Sequence, residues 1–173
     1  RVLEAAGFEV ALAEMGCCGR PQISNGLLRE ARDMAGENLM RLSGALRAGA
    51  YIVGVEPSCL LTLRDEYPDL IVGEDTRRLA DSAFLLEEFL VHLKAKGELD
   101  LALRERPGRA LFHGHCHQKS LVGSGPSLEA LRLVPGLEVE EISSGCCGMA
   151  GSFGYRKEHY DISLKSGELT LFP

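Results

Sequence analysis

A chain of 173 residues, 45% hydrophobic and 25% charged, has the make-up of a soluble globular protein and the length of one domain or of two small ones. A net charge of -6 and a pI near 5.4 argue against a nucleic-acid or anionic-membrane surface as the main function, and no apolar run approaches the roughly 20 residues that span a bilayer. Six cysteines are too few for a secreted disulfide scaffold of this length and point to the cytoplasm, where clustered thiols stay reduced for metal or redox chemistry.

The opening Arg1-Val2-Leu3-Glu4-Ala5-Ala6-Gly7 reads as the middle of a helix, with neither an initiator methionine nor a signal peptide. The chain closes on Leu171-Phe172-Pro173 without a tail, so a fragment cut at both ends is expected. Next comes a strand-like run, Phe8 to Met15, leading into Cys17-Cys18-Gly19. Leu28, Ala31, Ala35, Leu39, Leu42 and Leu46 recur at helical spacing, and Gly49 is a stop signal. The run Ala50 to Val55 predicts a buried strand before Glu56-Pro57-Ser58-Cys59, and a short helix follows over Leu60–Glu66. Leu79, Ala83, Leu86, Leu90 and Leu93 predict one helix ending at Gly97. The charged stretch from Gly97 to Gly108 is the expected boundary.

A third strand over Arg109–Phe112 runs into His113-Gly114-His115-Cys116-His117. After a short helix over Ser127–Leu133 and a stop at Gly136, the alternating run Leu137 to Ile142 predicts an edge strand before Cys146-Cys147-Gly148. Strands alternating with helices give an α/β class: two related units, 1–100 and 101–173, with short parallel strands flanked by helices. The cysteines are then expected at the strand carboxyl ends, where ligands of such sheets bind.

Each half holds three thiols, Cys17, Cys18 and Cys59 in one and Cys116, Cys146 and Cys147 in the other. Adjacent cysteines can form a strained vicinal disulfide, pack as inert apolar groups, or bind metal. Two pairs in matching contexts favour metal, and neighbouring side chains can reach neighbouring irons. Gly19, Gly145 and Gly148, with Gly151 and Gly154 beyond, let backbone N–H groups approach sulfur; a tight turn or a phosphate loop is the alternative. His115 and His117 flank Cys116 and, if extended, share the face opposite it. They are candidates to ligate metal, hydrogen-bond a cluster or relay protons, against a reading as polar strand-end residues. His92 reads as a surface helix residue. Glu56 is either an oxygen ligand or the polar end of its strand. Zinc competes with iron, but no CxxC exists, and 40 residues separate Cys18 from Cys59 and 29 separate Cys116 from Cys146. A thiol–disulfide catalyst would also favour CxxC.

The strings MGCCGRP, EPSC, HGHCHQK and SGCCGMAGSFGY, with the closing EHYDISLKSGE and LFP, span nearly the whole chain. Together they resemble the cysteine-rich CCG domain found in heterodisulfide reductase and in the iron–sulfur subunits of anaerobic glycerol-3-phosphate dehydrogenase and glycolate oxidase. They are more similar still to the carboxy-terminal part of fused FAD-linked oxidases of the D-lactate and D-2-hydroxyglutarate dehydrogenase type. The resemblance implies an iron–sulfur electron-transfer module, of 4Fe-4S character, that accepts electrons from a reduced flavin and is part of an oxidoreductase rather than catalytic alone. It implies the six cysteines as metal ligands, with Gly19, Gly145, Gly148, His115 and His117 around the cofactor. An upstream FAD domain and a ferredoxin-like iron–sulfur domain would be its partners. Its place would be the cytoplasm, or the inner face of the membrane reached through partners. In the family unit, C…CCG…CxxC, Glu56 stands where the first cysteine of the CxxC would be, and each half offers three of its expected thiols. The alternative is a non-catalytic domain, zinc-bound or metal-free, that docks the flavin domain.

Overall fold

The computed structural model describes residues 1–151 and 153–172 and divides into two compact units, Arg1–Leu103 and Arg104–Pro173. The first unit runs α1 (Val2–Ala5), α2 (Arg20–Ser24), α3 (Leu28–Arg47), β1 (Ile52–Gly54), α4 (Pro57–Arg64), α5 (Glu66–Leu70), α6 (Glu74–Ser82), β2 (Ala83–Leu85) and α7 (Leu86–Lys96). The second runs β3 (Gly108–Phe112), α8 (Cys116–Leu121), α9 (Gly125–Leu131), β4 (Leu137–Glu141), two 3₁₀ turns (Phe153–Tyr155 and Lys157–His159) and α10 (Tyr160–Glu168). Each unit holds one two-stranded parallel sheet flanked by helices, the expected α/β class.

The core of the first unit follows from the stripe on α3. Ala31, Ala35, Leu39, Leu42 and Leu46 are buried there at spacings of three and four, and α3 packs on α6 and α5, where Leu79 and Tyr67 are buried; Leu60, Leu61 and Leu63 of α4 and Phe89 and Leu93 of α7 complete the core. Leu28, at the head of the same stripe, lies half exposed. Phe89 is also a hub for aromatic rings, with Phe8 at 5.4 Å and Tyr51 at 4.9 Å between centroids. The second unit has a different interior. Its buried residues among those described are Gly114, Gln118, Ser127, Gly148, Ser163 and Gly167, small or polar groups joined by hydrogen bonds such as Gln118 Nε2 to Ser127 Oγ at 2.5 Å.

Three expectations are corrected. The run Phe8–Met15 forms no strand and pairs with no described strand, and Leu12 within it is 96% exposed. Strand propensity alone leaves backbone groups to water unless a ladder partner is present. The helix expected through Leu79–Leu93 is two helices with β2 between them. Ala83–Leu85 pairs in register with Ile52–Gly54, burying Ala83 and Leu85 completely, so sheet pairing overrides the helical period. Glu88 restarts the helix by accepting the Leu85 N–H at 3.1 Å. Third, Cys17-Cys18 follow the unpaired segment rather than a strand; the other cysteines lie beyond strand carboxyl ends as expected, Cys59 on the first turn of α4 after β1, Cys116 on the first turn of α8 after β3, and Cys146-Cys147 in the loop after β4.

Candidate metal centres

In the first unit, buried Asn38 of α3 organises the Cys-Cys-Gly turn. Its Oδ1 accepts the Gly16 N–H, and its Nδ2 donates to the Cys17 carbonyl and to the Tyr67 hydroxyl, each at 2.9 Å. Gly16 N–H can only donate and the Cys17 carbonyl can only accept, so these two partners fix which way the amide faces. Gly19 follows in the left-handed region, at φ +86°, and turns the chain into α2. Arg20, the next residue, pairs with Glu66 of α5. Cys18 is 5% exposed and Cys17 is exposed.

Cys59 comes to Cys18 from α4. Glu56 caps that helix, its carboxylate accepting the Cys59 N–H at 2.6 Å, with Pro57 at the first helical position. Burial works to raise Glu56, but hydrogen bonds from Cys59 and Ser58 outweigh it and hold the carboxyl below its ordinary range. The Cys59 thiol is pushed up to about 12, first by burial, then by its hydrogen bonds with the Cys18 thiol and Glu56. Cys18 and Cys59, far apart in sequence, are thus neighbours in space. Burial is also the largest cause raising Tyr67 to about 12; the Asn38 hydrogen bond opposes it, and the nearby Cys18, Cys17 and Cys59 add to it. Tyr67 thus shares this part of the unit with all three of its thiols.

In the second unit, α8 replaces the expected extended arrangement of the histidines. His115 is the N-cap, its Nδ1 accepting the His117 N–H at 3.2 Å, which leaves the proton of a neutral imidazole on Nε2. Cys116 is the first helical residue and exposed, and the His115 and His117 rings stack at 6.5 Å rather than lining one strand face. His113 Nδ1 lies 2.6 Å from Ser144 Oγ, and Lys119 Nζ donates to the Ser144 carbonyl at 2.7 Å, tying this turn to the loop that carries Cys146 and Cys147. There Gly148 N–H donates to Cys146 Sγ at 3.3 Å, a backbone-to-sulfur hydrogen bond. The Gly145 N–H goes instead to Thr170 Oγ1 at 2.9 Å. Ser163 of α10 supports the loop from behind, donating to the Gly148 carbonyl at 2.8 Å. Gly148 has φ +85°, and a Cβ there would stand 2.0 Å from the Ser163 carbonyl oxygen. Ser152, within the glycine-rich string, lies outside the described residues.

Asn38, Tyr67 and Ser163 carry these sites and were not singled out in the sequence. A signal existed for Asn38, an amide on the buried stripe of an amphipathic helix, which has to find partners. Tyr67 and Ser163 had none. In chemistry the donor set fits a soft metal: thiols dominate, and Glu56 is engaged as a helix cap rather than offered as a hard ligand. In geometry it is a beginning. Among the described residues no three Cys, His, Asp or Glu side chains stand within reach of one metal ion.

Comparison with known proteins places these features. The family described as "Cysteine-rich domain", CCG, matches residues 1–64. The chain is 34% identical over 169 residues to one of the subunits of anaerobic glycerol-3-phosphate dehydrogenase from Escherichia coli K12, covering 96% of this chain and 42% of that protein. It is 32% identical over 164 residues to lactate utilization protein A of Geobacillus thermodenitrificans, covering 90% of this chain and 65% of the relative. It is 29% identical over 177 residues to D-2-hydroxyglutarate dehydrogenase of Escherichia coli K12, covering 98% of this chain and 16% of the relative. The chain thus spans less than two thirds of the length of each. No solved structure matches it. The thiol-bearing turn at Cys17-Cys18-Gly19 falls inside residues 1–64, the segment that matches the CCG family of cysteine-rich domains.

Proposed function

We propose that the chain is an iron–sulfur electron-transfer module of a flavin-linked 2-hydroxy acid oxidoreductase. Cys17, Cys18 and Cys59 serve one site, and Cys116, Cys146 and Cys147 serve another. The observation that carries this reading is the contact of Cys18 with Cys59 beneath the Asn38 clamp. A fold that brings two distant thiols together and fixes the backbone of a third is built for sulfur ligation. The names of the relatives, which include glycerol-3-phosphate dehydrogenase, lactate utilization and 2-hydroxyglutarate dehydrogenase proteins, support an oxidoreductase setting. Two residue classes do the local work. Asn38 and Ser163 hold the two Cys-Cys-Gly turns, and Gly148 N–H lowers the charge density on Cys146 sulfur. A bound cluster supplies one-electron transfer at a potential set by burial and N–H···S bonds. An FAD domain and a ferredoxin-like domain are the partners of this reading, in the cytoplasm. Among the described residues no helix is long and apolar enough to cross a membrane.

Anaerobic reconstitution with iron and sulfide tests the proposal. A visible sulfur-to-iron band, weakened by Cys18→Ser and by Cys147→Ser, is the expected result. Zinc without iron or acid-labile sulfide in the purified chain, and no iron uptake on reconstitution, would establish the non-catalytic docking domain instead.

A further inference from the structure

Tyr67 is fully buried, at 0% exposure, beside the first Cys-Cys-Gly turn. The direction of the Asn38 amide is fixed by Gly16 and Cys17, so the phenol oxygen meets an N–H and can only accept there. Its own O–H has no acceptor among the described residues, although a buried hydroxyl hydrogen without one is costly. One nitrogen, Asn38 Nδ2, bonds both the phenol oxygen and the Cys17 carbonyl at 2.9 Å, which puts the hydroxyl within two hydrogen-bond lengths of the Cys17 backbone. The thiols of Cys18, Cys17 and Cys59 are near enough to act on it.

We infer that Tyr67 is a positioning residue of the first thiol site, whose hydroxyl donates its hydrogen to a thiolate of Cys17, Cys18 or Cys59 when that site holds a soft metal ion. The inference rests on the reading of these cysteines as ligands. A thiolate is a strong acceptor where a neutral thiol is a weak one, so metal-driven deprotonation would supply the partner the hydroxyl lacks. An O–H···S bond withdraws electron density from sulfur. It therefore shifts sulfur-to-metal charge-transfer bands to higher energy and raises the reduction potential of a redox-active centre.

Anaerobic loading of the chain with cobalt(II) tests this. Tyr67→Phe should move the sulfur-to-cobalt band to lower energy while cobalt is still bound, and after reconstitution with iron and sulfide it should lower the midpoint potential. A purely structural role would reduce band intensity without moving its energy. A second measurement uses the wild-type chain carrying 3-fluorotyrosine and cadmium(II) as the probe: the fluorine resonance of residue 67 should shift on metal binding, more than those of Tyr51, Tyr155 and Tyr160. An unmoved band and potential in folded Tyr67→Phe overturns the inference, as does an unmoved fluorine resonance. Failure of the wild-type chain to bind cobalt(II) or cadmium(II) overturns the thiolate-site reading along with it.

Discussion

The carboxylate of Glu56 accepts the backbone N–H of Cys59 at 2.6 Å, closing the first turn of α4 at the residue where its thiol meets Cys18. Removing this cap in Glu56→Ala should destabilise the first unit by about 1 kcal/mol, with Glu56→Gln losing less. The sign with pH follows from the lowered carboxyl. Its contribution is present above the ordinary value of 4.5 and is lost as pH falls through the lower folded value. Urea unfolding of wild type and Glu56→Ala from neutral pH down into this acid range should show the gap between them closing.

Asn38 joins α3 to the Cys-Cys-Gly turn and to α5 through three hydrogen bonds. Asn38→Ala leaves the Gly16 N–H, the Cys17 carbonyl and the Tyr67 oxygen without that partner. A loss of about 3 kcal/mol is expected. Amide exchange at Gly16 should accelerate more than exchange in α7, which the clamp does not touch.

Tyr67 should be the last tyrosine to ionise. Its folded value is raised from 10.0 to about 12, so the stability linked to it is intact below the unfolded value and is lost as pH rises from one to the other. Absorbance of tyrosinate during a base titration checks this directly. Tyr67→Phe should remove the step of highest pH, and its stability should fall less steeply across that interval than the wild type's.

Gly148 and Gly7 offer a paired test of backbone constraint. Both have positive φ, +85° and +87°, but a Cβ at Gly148 would collide with the Ser163 carbonyl while one at Gly7 meets nothing within 4 Å. Gly7→Ala should cost about 1 kcal/mol for the left-handed conformation alone. Gly148→Ala should cost more, because the loop must move off α10. Hydrogen exchange should show protection lost in α10 for the second substitution and unchanged there for the first.

Much of this was legible locally. The stripe on α3 and the strands at Ile52–Gly54, Gly108–Phe112 and Leu137–Glu141 all follow from spacing within a few residues. Local pattern failed where a distant partner decided the outcome. Ala83–Leu85 carries a helical period and still forms a strand, because β1 offers a ladder. Phe8–Met15 carries strand composition and stays unpaired, since no described strand meets it. His115 and His117 alternate in sequence, yet a helix starts at Cys116 and stacks them.

By itself the sequence determined the class of the chain, its pairing of adjacent thiols with glycine and the positions of its turns, because helix periodicity and glycine act over short range. Only the tertiary structure decided which thiols meet and what holds them. The meeting of Cys18 with Cys59, and the Asn38–Tyr67 clamp behind them, join segments that lie far apart along the chain. Such contacts exist only once α3, α4 and α5 pack on a common core, and no spacing rule along the chain contains them.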